Sequence, residues 1–457
     1  MFRCIFCGCL AVTSTVPAWP RPVVPVAIEL AQDSSSTAND AAARPMPPGH
    51  DMSRMSMSGD DSTGSINRMM MGALGSYPMT REASGTSWEP DTSMHSGVHV
   101  MGGDWMLMGH ALLNGVYDWQ QGPRGDTDTF VSGMLMGMAN RHFESGDTVQ
   151  FRAMLSPEPL MGKSGYPLLL ATGETANGTT PLVDRQHPHD LFMELSGTYS
   201  HALTPKDSIF FYGGLPGESA FGPPAFMHRQ SILDSPEAPI SHHWLDSTHI
   251  TYGVVTVGYV HDMWKIEASR FRGREPDQFR YNIETGALDS TSARLSFNPT
   301  REFSLQASWA NQISPEQLQP DKNEKRLSAS AIYTHQFGEH TWWSTTLAWG
   351  RRHSNGDEAL NAYIVESALK PSDLWTLFAR AEREKNNELI TMGPLQGSAY
   401  TAGKTSLGVI RDLRLSQHVK IGAGALYAFN FVPQPIAPLY GRTDPQGAMA
   451  FIRLKVE

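Results

Sequence analysis

From about residue 100 onward, apolar and polar residues alternate with a period of two in short segments set apart by Gly, Pro, Asn and Asp clusters. Alternation of this kind gives a strand one apolar and one polar face. In 289–297, Thr291, Ala293, Leu295 and Phe297 alternate with Ser290, Ser292, Arg294 and Ser296. In 302–309, Phe303, Leu305, Ala307 and Trp309 alternate with Ser304, Gln306 and Ser308. The same rule runs through 249–261, 326–334, 341–349, 374–382 and 418–429. Helical periodicity is scarce. About sixteen such segments, many of roughly 8–12 residues with aromatics near their ends, predict an all-β protein. The expected fold is a transmembrane antiparallel β-barrel of about 16 strands (range about 14–18), with lipid outside and a polar lumen inside. A soluble sandwich is the alternative. A propeller would repeat a blade motif about every 40–50 residues, and no such repeat is visible.

Composition sharpens the picture. The hydrophobic fraction is 40%, as expected of a folded chain, and the net charge of −10 argues against a nucleic-acid partner. The longest apolar stretch, Cys4 to Val12, is too short for a membrane-spanning helix. All three cysteines lie in the first nine residues, so the body of the chain has neither a disulfide framework nor a Cys-based zinc site. Arg3, an apolar stretch to Val16 and Val-Pro-Ala at 16–18 read as a signal peptide over 1–18. Residues 19–98, rich in Met, Pro and Ser, read as a disordered periplasmic leader. Residues 99–457 form the barrel, with a long unpatterned loop at 214–249 that is a candidate plug. The chain ends Phe451-Ile-Arg-Leu-Lys-Val-Glu457, whereas many outer-membrane barrels end in an aromatic residue read by the outer-membrane assembly machinery. That machinery and outer-membrane lipid are nonetheless the expected partners.

Methionine is unevenly placed: 18 of 23 fall in residues 1–161. On the first strand Met106, Met108 and His110 share a face with Asp104 and Asn114, opposite Trp105, Leu107, Ala111, Leu113 and Tyr117. On the second, Met134, Met136 and Met138 share a face with Ser132 and Asn140, but Phe130 joins them, which leaves lumen and lipid both open. On the third, Met154 lies with Gln150 and Arg152. Adjacent strands of this phase build a thioether ladder. Thioethers bind Cu(I) and Ag(I) well and hard cations poorly, while imidazole extends the range to Cu(II) and Zn(II). Adaptable packing is the competing explanation for methionine.

Two histidine groups add to this. Asp184-Arg-Gln-His-Pro-His-Asp190, followed by Glu194, offers His187, His189, Asp190 and Glu194 as metal ligands, or else a turn locked by Arg185 and the acids. The loop 214–249 carries Met227, His228, His242, His243 and His249, and the charged motif 271–277 is available to pair with it. The candidate metal set is therefore Met106, Met108, His110, Met134, Met136, Met138, His187, His189, Asp190, Glu194, His228, His242, His243 and His249. No nucleophile elbow, phosphate loop or dinucleotide fingerprint is present, so an enzyme is not expected.

Four motifs carry a resemblance: Tyr77-Pro-Met-Thr-Arg-Glu-Ala-Ser-Gly-Thr-Ser-Trp88, Asp184 to Glu194, Gly222-Pro-Pro-Ala-Phe-Met-His228 and His242-His-Trp-Leu-Asp-Ser-Thr-His249. From about residue 77 to the C-terminus the chain resembles uncharacterised predicted outer-membrane proteins of Gram-negative bacteria associated with copper or heavy-metal resistance genes. The Met-rich leader more loosely resembles the copper-resistance outer-membrane protein B family. The resemblance implies an outer-membrane location more than an activity. Met segregation, strand phase and the histidine clusters lead to the functional expectation: a barrel, with its leader in the periplasm, that binds or passes Cu(I) or Ag(I), with periplasmic metal-efflux components as partners. A passive porin-like barrel and, third, a barrel enzyme are the alternatives.

Overall fold

A computed structural model describes residues 71–94 and 97–457. The signal-peptide expectation, and the part of the leader before residue 71, lie outside the described residues. Nineteen strands are present: β1 (Val98–Gly102), β2 (Trp105–Gln120), β3 (Thr127–His142), β4 (Asp147–Leu155), β5 (Tyr166–Thr175), β6 (Pro181–Gln186), β7 (Phe192–Ala202), β8 (Asp207–Gly214), β9 (Val254–His261), β10 (Trp264–Phe271), β11 (Ser290–Thr300), β12 (Phe303–Gln312), β13 (Glu324–Gly338), β14 (Thr341–Ser354), β15 (Leu360–Ser372), β16 (Trp375–Asn386), β17 (Tyr400–Arg414), β18 (Val419–Phe431) and β19 (Gln446–Val456). Sixteen of them, β2–β4 and β7–β19, pair antiparallel in chain order, and β19 returns to β2 with Val456 opposite Ala111. The ring is thus a closed barrel, and closure removes the sheet edges that would otherwise leave backbone groups unpaired in lipid. Strand β1 pairs with the start of β2, below the point where β19 stops. The pair β5–β6 is a separate hairpin.

The period-two pattern sorts side chains across the wall. Leu107, Leu135, Phe151 and Ile452 are exposed on the outer surface, at 43, 43, 54 and 70%, while their neighbours Met106, Met134, Arg152 and Arg453 are buried inside. The outer surface is therefore an apolar band suited to hydrocarbon, with Tyr117, Trp264, Phe303, Trp343, Trp375 and Tyr427 exposed on it. Connections alternate in length. Tight turns close one end, as at 262–263, 301–302 and 373–374, and long loops crowd the other.

Among the described residues, three inserted segments fill the lumen. Residues 71–94, expected from sequence to be part of the disordered leader, are instead folded inside the barrel near the tight-turn end. The reason lies in the anchors of this segment. Ser200 and Ser208 donate to the carbonyls of Ala73 and Leu74. Thr86 donates to Glu267 at 2.6 Å, Lys265 donates to the Thr86 carbonyl, and Asn298 donates to the Glu89 carbonyl. Trp88 and Tyr77 pack edge to face, and the Arg81 guanidinium, paired with Asp91 at 2.6 Å, lies against both rings. A polar lumen wall thus supplies the partners that an isolated Pro/Ser/Gly-rich segment lacks.

The second filler is the connection 215–253, slightly longer than the expected 214–249. It is tied to the wall by buried ion pairs. Arg229 donates to both carboxylate oxygens of Glu366 (2.7 and 2.8 Å) and to Asp246 (2.7 Å). Glu237 meets Arg380 at 3.0 Å and also Lys404, and Asp234 meets Arg453. Trp244 packs into the space left by Gly350, where any Cβ would lie 2.3 Å from the Trp244 carbonyl oxygen. The third filler is the β5–β6 hairpin, with Leu168, Leu169 and Leu170 fully buried and Arg185 donating to Asp126 and Asp128 on the wall.

Candidate metal centre

The thioethers expected to face the lumen do so. Cross-strand register sets Met108 beside Met138, His110 beside Met136, and Met136 beside Met154. All point inward, because each shares the parity of the buried residues on its strand. Phe130, which left the phase of β3 open, is buried at 4% and belongs to the hairpin side of the lumen, stacked on Tyr166 at 4.3 Å. The second methionine strand therefore faces the lumen and not lipid.

Inward-facing residues on β2, β3 and β4 alone would line an open wall. The fillers turn that wall into a chamber. Met79 and Met94 come from 71–94, and Met227 and His228 from 215–253. Together with Met108, His110, Met134, Met136 and Met138 they enclose a cavity of about 80 Å³. Met79, Met106, Met108 and Met138 form one buried cluster, and Met134, Met154 and Met193 a second; Met136 touches both. The result is a continuous thioether seam. The room holds a few waters or one partly desolvated ion. Glu82, Glu89, Arg152 and Lys455 also reach this cavity. Burial pushes the Glu89 carboxyl up to about 7, partly offset by the Gln230 backbone N–H it accepts.

The remaining histidine candidates gather toward the long-loop end, beside the thioethers. Five imidazoles meet there although they come from two segments. His189 and His249 lie 5.2 Å apart, His249 and His242 5.1 Å, His242 and His187 6.0 Å, and His243 lies 5.3 Å from His242, all between ring centroids. Every ring is buried. Each turns its Nδ1 toward a carboxylate or carbonyl: His189 to Glu158 at 2.8 Å, His187 to Glu174 at 3.3 Å, His242 to Asp246 at 2.8 Å, His243 to Glu275 at 3.5 Å, and His249 to the Asp246 carbonyl at 2.6 Å. Backing of one ring nitrogen by an acid is how metal-ligating histidines are commonly oriented. The Nε2 atoms of His187, His189 and His249 have no hydrogen-bond partner among the described residues. Burial and neighbouring positive charge hold His187 and His249 well below the ordinary imidazole range, which keeps those rings neutral. His189 and Phe226 share a small cavity with Met134 and Met227, so the imidazole group abuts the thioether seam.

Two expected ligands are engaged elsewhere. Asp190 accepts from Tyr252 and from Arg280 at 3.2 Å. Glu194 accepts from Ser196 at 2.6 Å, Tyr212 at 3.0 Å and Arg152 at 3.4 Å. Their oxygens are thus taken up by hydrogen bonds and ion pairs within the chain. Arg185, expected to lock the turn beside them, instead ties the hairpin to the wall. Conversely, Met79 and Met94 join the seam from a stretch whose sequence shows no strand pattern, and only their residue type marked them.

No family model and no curated protein sequence matches the chain. Among solved structures it is similar to an anion-selective porin from Comamonas acidovorans (10% identity, 77% of this chain and 99% of that one, TM-score 0.46). It is also similar to OmpF of Salmonella typhi, solved as a complex with daunomycin (10%, 78% and 100%, 0.48), and to the outer-membrane channel DcaP of Acinetobacter baumannii (10%, 79% and 100%, 0.45). The chain's own architecture is the closed sixteen-stranded barrel described above, with inserted segments in its lumen.

Proposed function

We propose that this protein is an outer-membrane barrel of a Gram-negative cell that binds soft metal ions, Cu(I) foremost and Ag(I) with it, and passes them when its fillers yield. The observation that carries the reading is the chamber lined by Met79, Met94, Met108, Met134, Met136, Met138 and Met227 with His110 and His228. Thioethers are the soft neutral donors available without thiols, and a site of several such donors selects Cu(I) over Mg(II), Ca(II) or Mn(II). Packing alone does not account for it, because filler and wall, two unrelated stretches of chain, both contribute methionine to one cavity. By the usual orientation of such barrels, the tight turns face the periplasm and the long loops face outward. The imidazole group then lies toward the exterior and the thioether seam toward the periplasm, where a metal-efflux component would meet it. A diffusion pore needs open water through the lumen, and the three fillers occupy that path.

The test is a Cu(I) competition titration on the full chain folded in detergent, beside a variant with Met106, Met108, Met134, Met136 and Met138 changed to Leu. Leu preserves volume at little cost to stability. The expected result is tight binding that falls at least about tenfold in the variant, equivalent to about 1.4 kcal/mol. Equal binding by both proteins would remove the chamber from the reading.

A further inference from the structure

At the long-loop end, three loops from different parts of the chain bring one imidazole and two carboxylates to a point. His243 comes from 215–253, Glu275 from the β10–β11 connection and Glu316 from the β12–β13 connection. Each offers a ligand atom, and these atoms all lie within 4.8 Å of one another. His243 is 3% exposed and Glu275 7%. The His243 Nδ1, Glu275 Oε2 and Glu316 Oε1 atoms are buried and none makes a well-formed hydrogen bond: Nδ1 and Oε2 lie 3.5 Å apart, and the Arg352 guanidinium is 3.5 Å from Oε1. Buried polar atoms held this loosely are costly, and three aimed at one place point to a cation between them.

The surrounding charge agrees. Glu275, Glu316, Glu324 and Glu388 face the two guanidinium groups of Arg326 and Arg352. Four carboxyl groups thus meet two guanidinium groups and the His243 imidazole, so oxygen ligands outnumber the fixed cations. Arg326 holds Glu275 by its other oxygen, Oε1, at 3.3 Å, while Oε2 lies 3.5 Å from His243 Nδ1, a gap that an ion would bridge. Arg352 lies 3.5 Å from Glu316 Oε1 and would share that oxygen with the ion.

We propose that His243, Glu275 and Glu316 bind one borderline divalent cation, Zn(II) or Cu(II) in type, and that the ion latches the loop 215–253 to the two loops beside it. One nitrogen and two carboxylate oxygens suit such ions and do not suit Cu(I). The centre is therefore chemically distinct from the thioether chamber and does not depend on it. His187 and His242, with ring centroids 5.7 and 5.3 Å from that of His243, stand next to it. Because the latched loop also carries Arg229, Glu237 and Trp244, the ion adds a cross-link to the filler that stops the lumen.

The experiment titrates the full-length folded protein with Co(II) alone, reading the visible ligand-field bands, and then displaces Co(II) with Zn(II). Susceptibility of loop 272–289 to protease is followed with and without the ion. The expected result is one strong site per chain, a loop protected at least about fivefold by the ion, and at least a tenfold loss of affinity in Glu316→Gln and in His243→Asn. A variant with Met108, Met136 and Met138 changed to Leu should keep the Co(II) bands, which separates this centre from the Cu(I) chamber. Heat-modifiable gel mobility verifies that each variant is folded. Unchanged bands and affinity in folded Glu316→Gln overturn the proposal. So does loss of the bands in His242→Ala with Glu316→Gln unaffected, because the ion would then sit among the imidazoles. Absence of a strong site in the wild-type protein overturns it as well.

Discussion

Arg229 allows a direct test of how the lumen is kept shut. The residue is fully buried and bridges Asp246 on its own loop to Glu366 on β15 through three charge-assisted hydrogen bonds of 2.7–2.8 Å. Replacing Arg229 with Met keeps most of the volume and leaves two carboxylates facing each other without a cation. Breaking a buried pair in this way costs about 3–5 kcal/mol. The loop has further anchors at Asp234, Glu237 and Ser241, so it is loosened and not expelled. If the cost falls on the closed arrangement, its ratio to the loosened one shifts by a factor on the order of 10² to 10³. The assay is single-protein conductance in a planar bilayer. The wild-type protein should be nearly silent, and Arg229→Met should show brief openings with a summed open time raised by that order. The double variant Arg229→Met, Glu366→Leu removes one orphaned carboxylate and restores an apolar contact. It should return most of the way to silence, because buried pairs are often replaced by apolar groups at little cost. A correctly inserted Arg229→Met barrel with wild-type current would refute the claim that this bridge holds the loop.

Other expectations concern the wall and the N-terminal filler. Glu89 has its carboxyl raised from an ordinary value near 4.5 to about 7 by burial, so its protonated form favours the packed filler. That stabilisation, about 3 kcal/mol in order of magnitude, is complete below about pH 4.5 and is lost as pH rises through about 7. Hydrogen exchange in 71–94 should therefore quicken between pH 5.5 and 8 beyond the intrinsic chemical rate, roughly a tenfold excess or more; Glu89→Gln should abolish the excess, and equal protection factors in the wild-type protein would contradict the assignment. On the outer surface, Leu135→Arg should cost up to about 2–4 kcal/mol in a lipid-refolding titration. Met136→Leu, one residue on and facing inward, should cost under about 1.5 kcal/mol; similar costs at both positions would mean that the phase of β3 is wrong.

Much of this architecture was legible in the chain. Period-two alternation in 289–297, 302–309 and 418–429 marked β11, β12 and β18, and the parity of Met106, Met108 and His110 placed them on the lumen side. The strand signal is local and repeated, which is why it survives without any knowledge of partners. The fillers were less legible because their order is borrowed. Residues 71–94 have no periodicity, and Thr86, Glu89 and Trp88 find their partners on Glu267, Asn298 and Ser304, far along the sequence. For the same reason Asp190 and Glu194 looked like free ligands. Their arginines, Arg280 and Arg152, are distant in sequence, and residue type alone does not separate a metal-facing carboxylate from a paired one. Glu275 and Glu316 went unread as ligands because neither lies near a histidine in the chain.

The division of anchors between the two main fillers bears on how the barrel is made. Residues 71–94 grip β4, β7, β8, β10, β11 and β12, through Arg152, Ser200, Ser208, Lys265, Arg294 and Ser304 among others. The loop 215–253 takes its strongest ties from β15, β16, β17 and β19, through Glu366, Arg380, Lys404 and Arg453. Each stopper is thus synthesised before most of the staves that will surround it, and the seam between β19 and β2 is the last to be completed. If the wall closes around contents already in place, no threading step is needed. A circularly permuted chain carrying 71–94 after β19 would have to thread that segment into a finished ring, and should assemble far more slowly than the natural order.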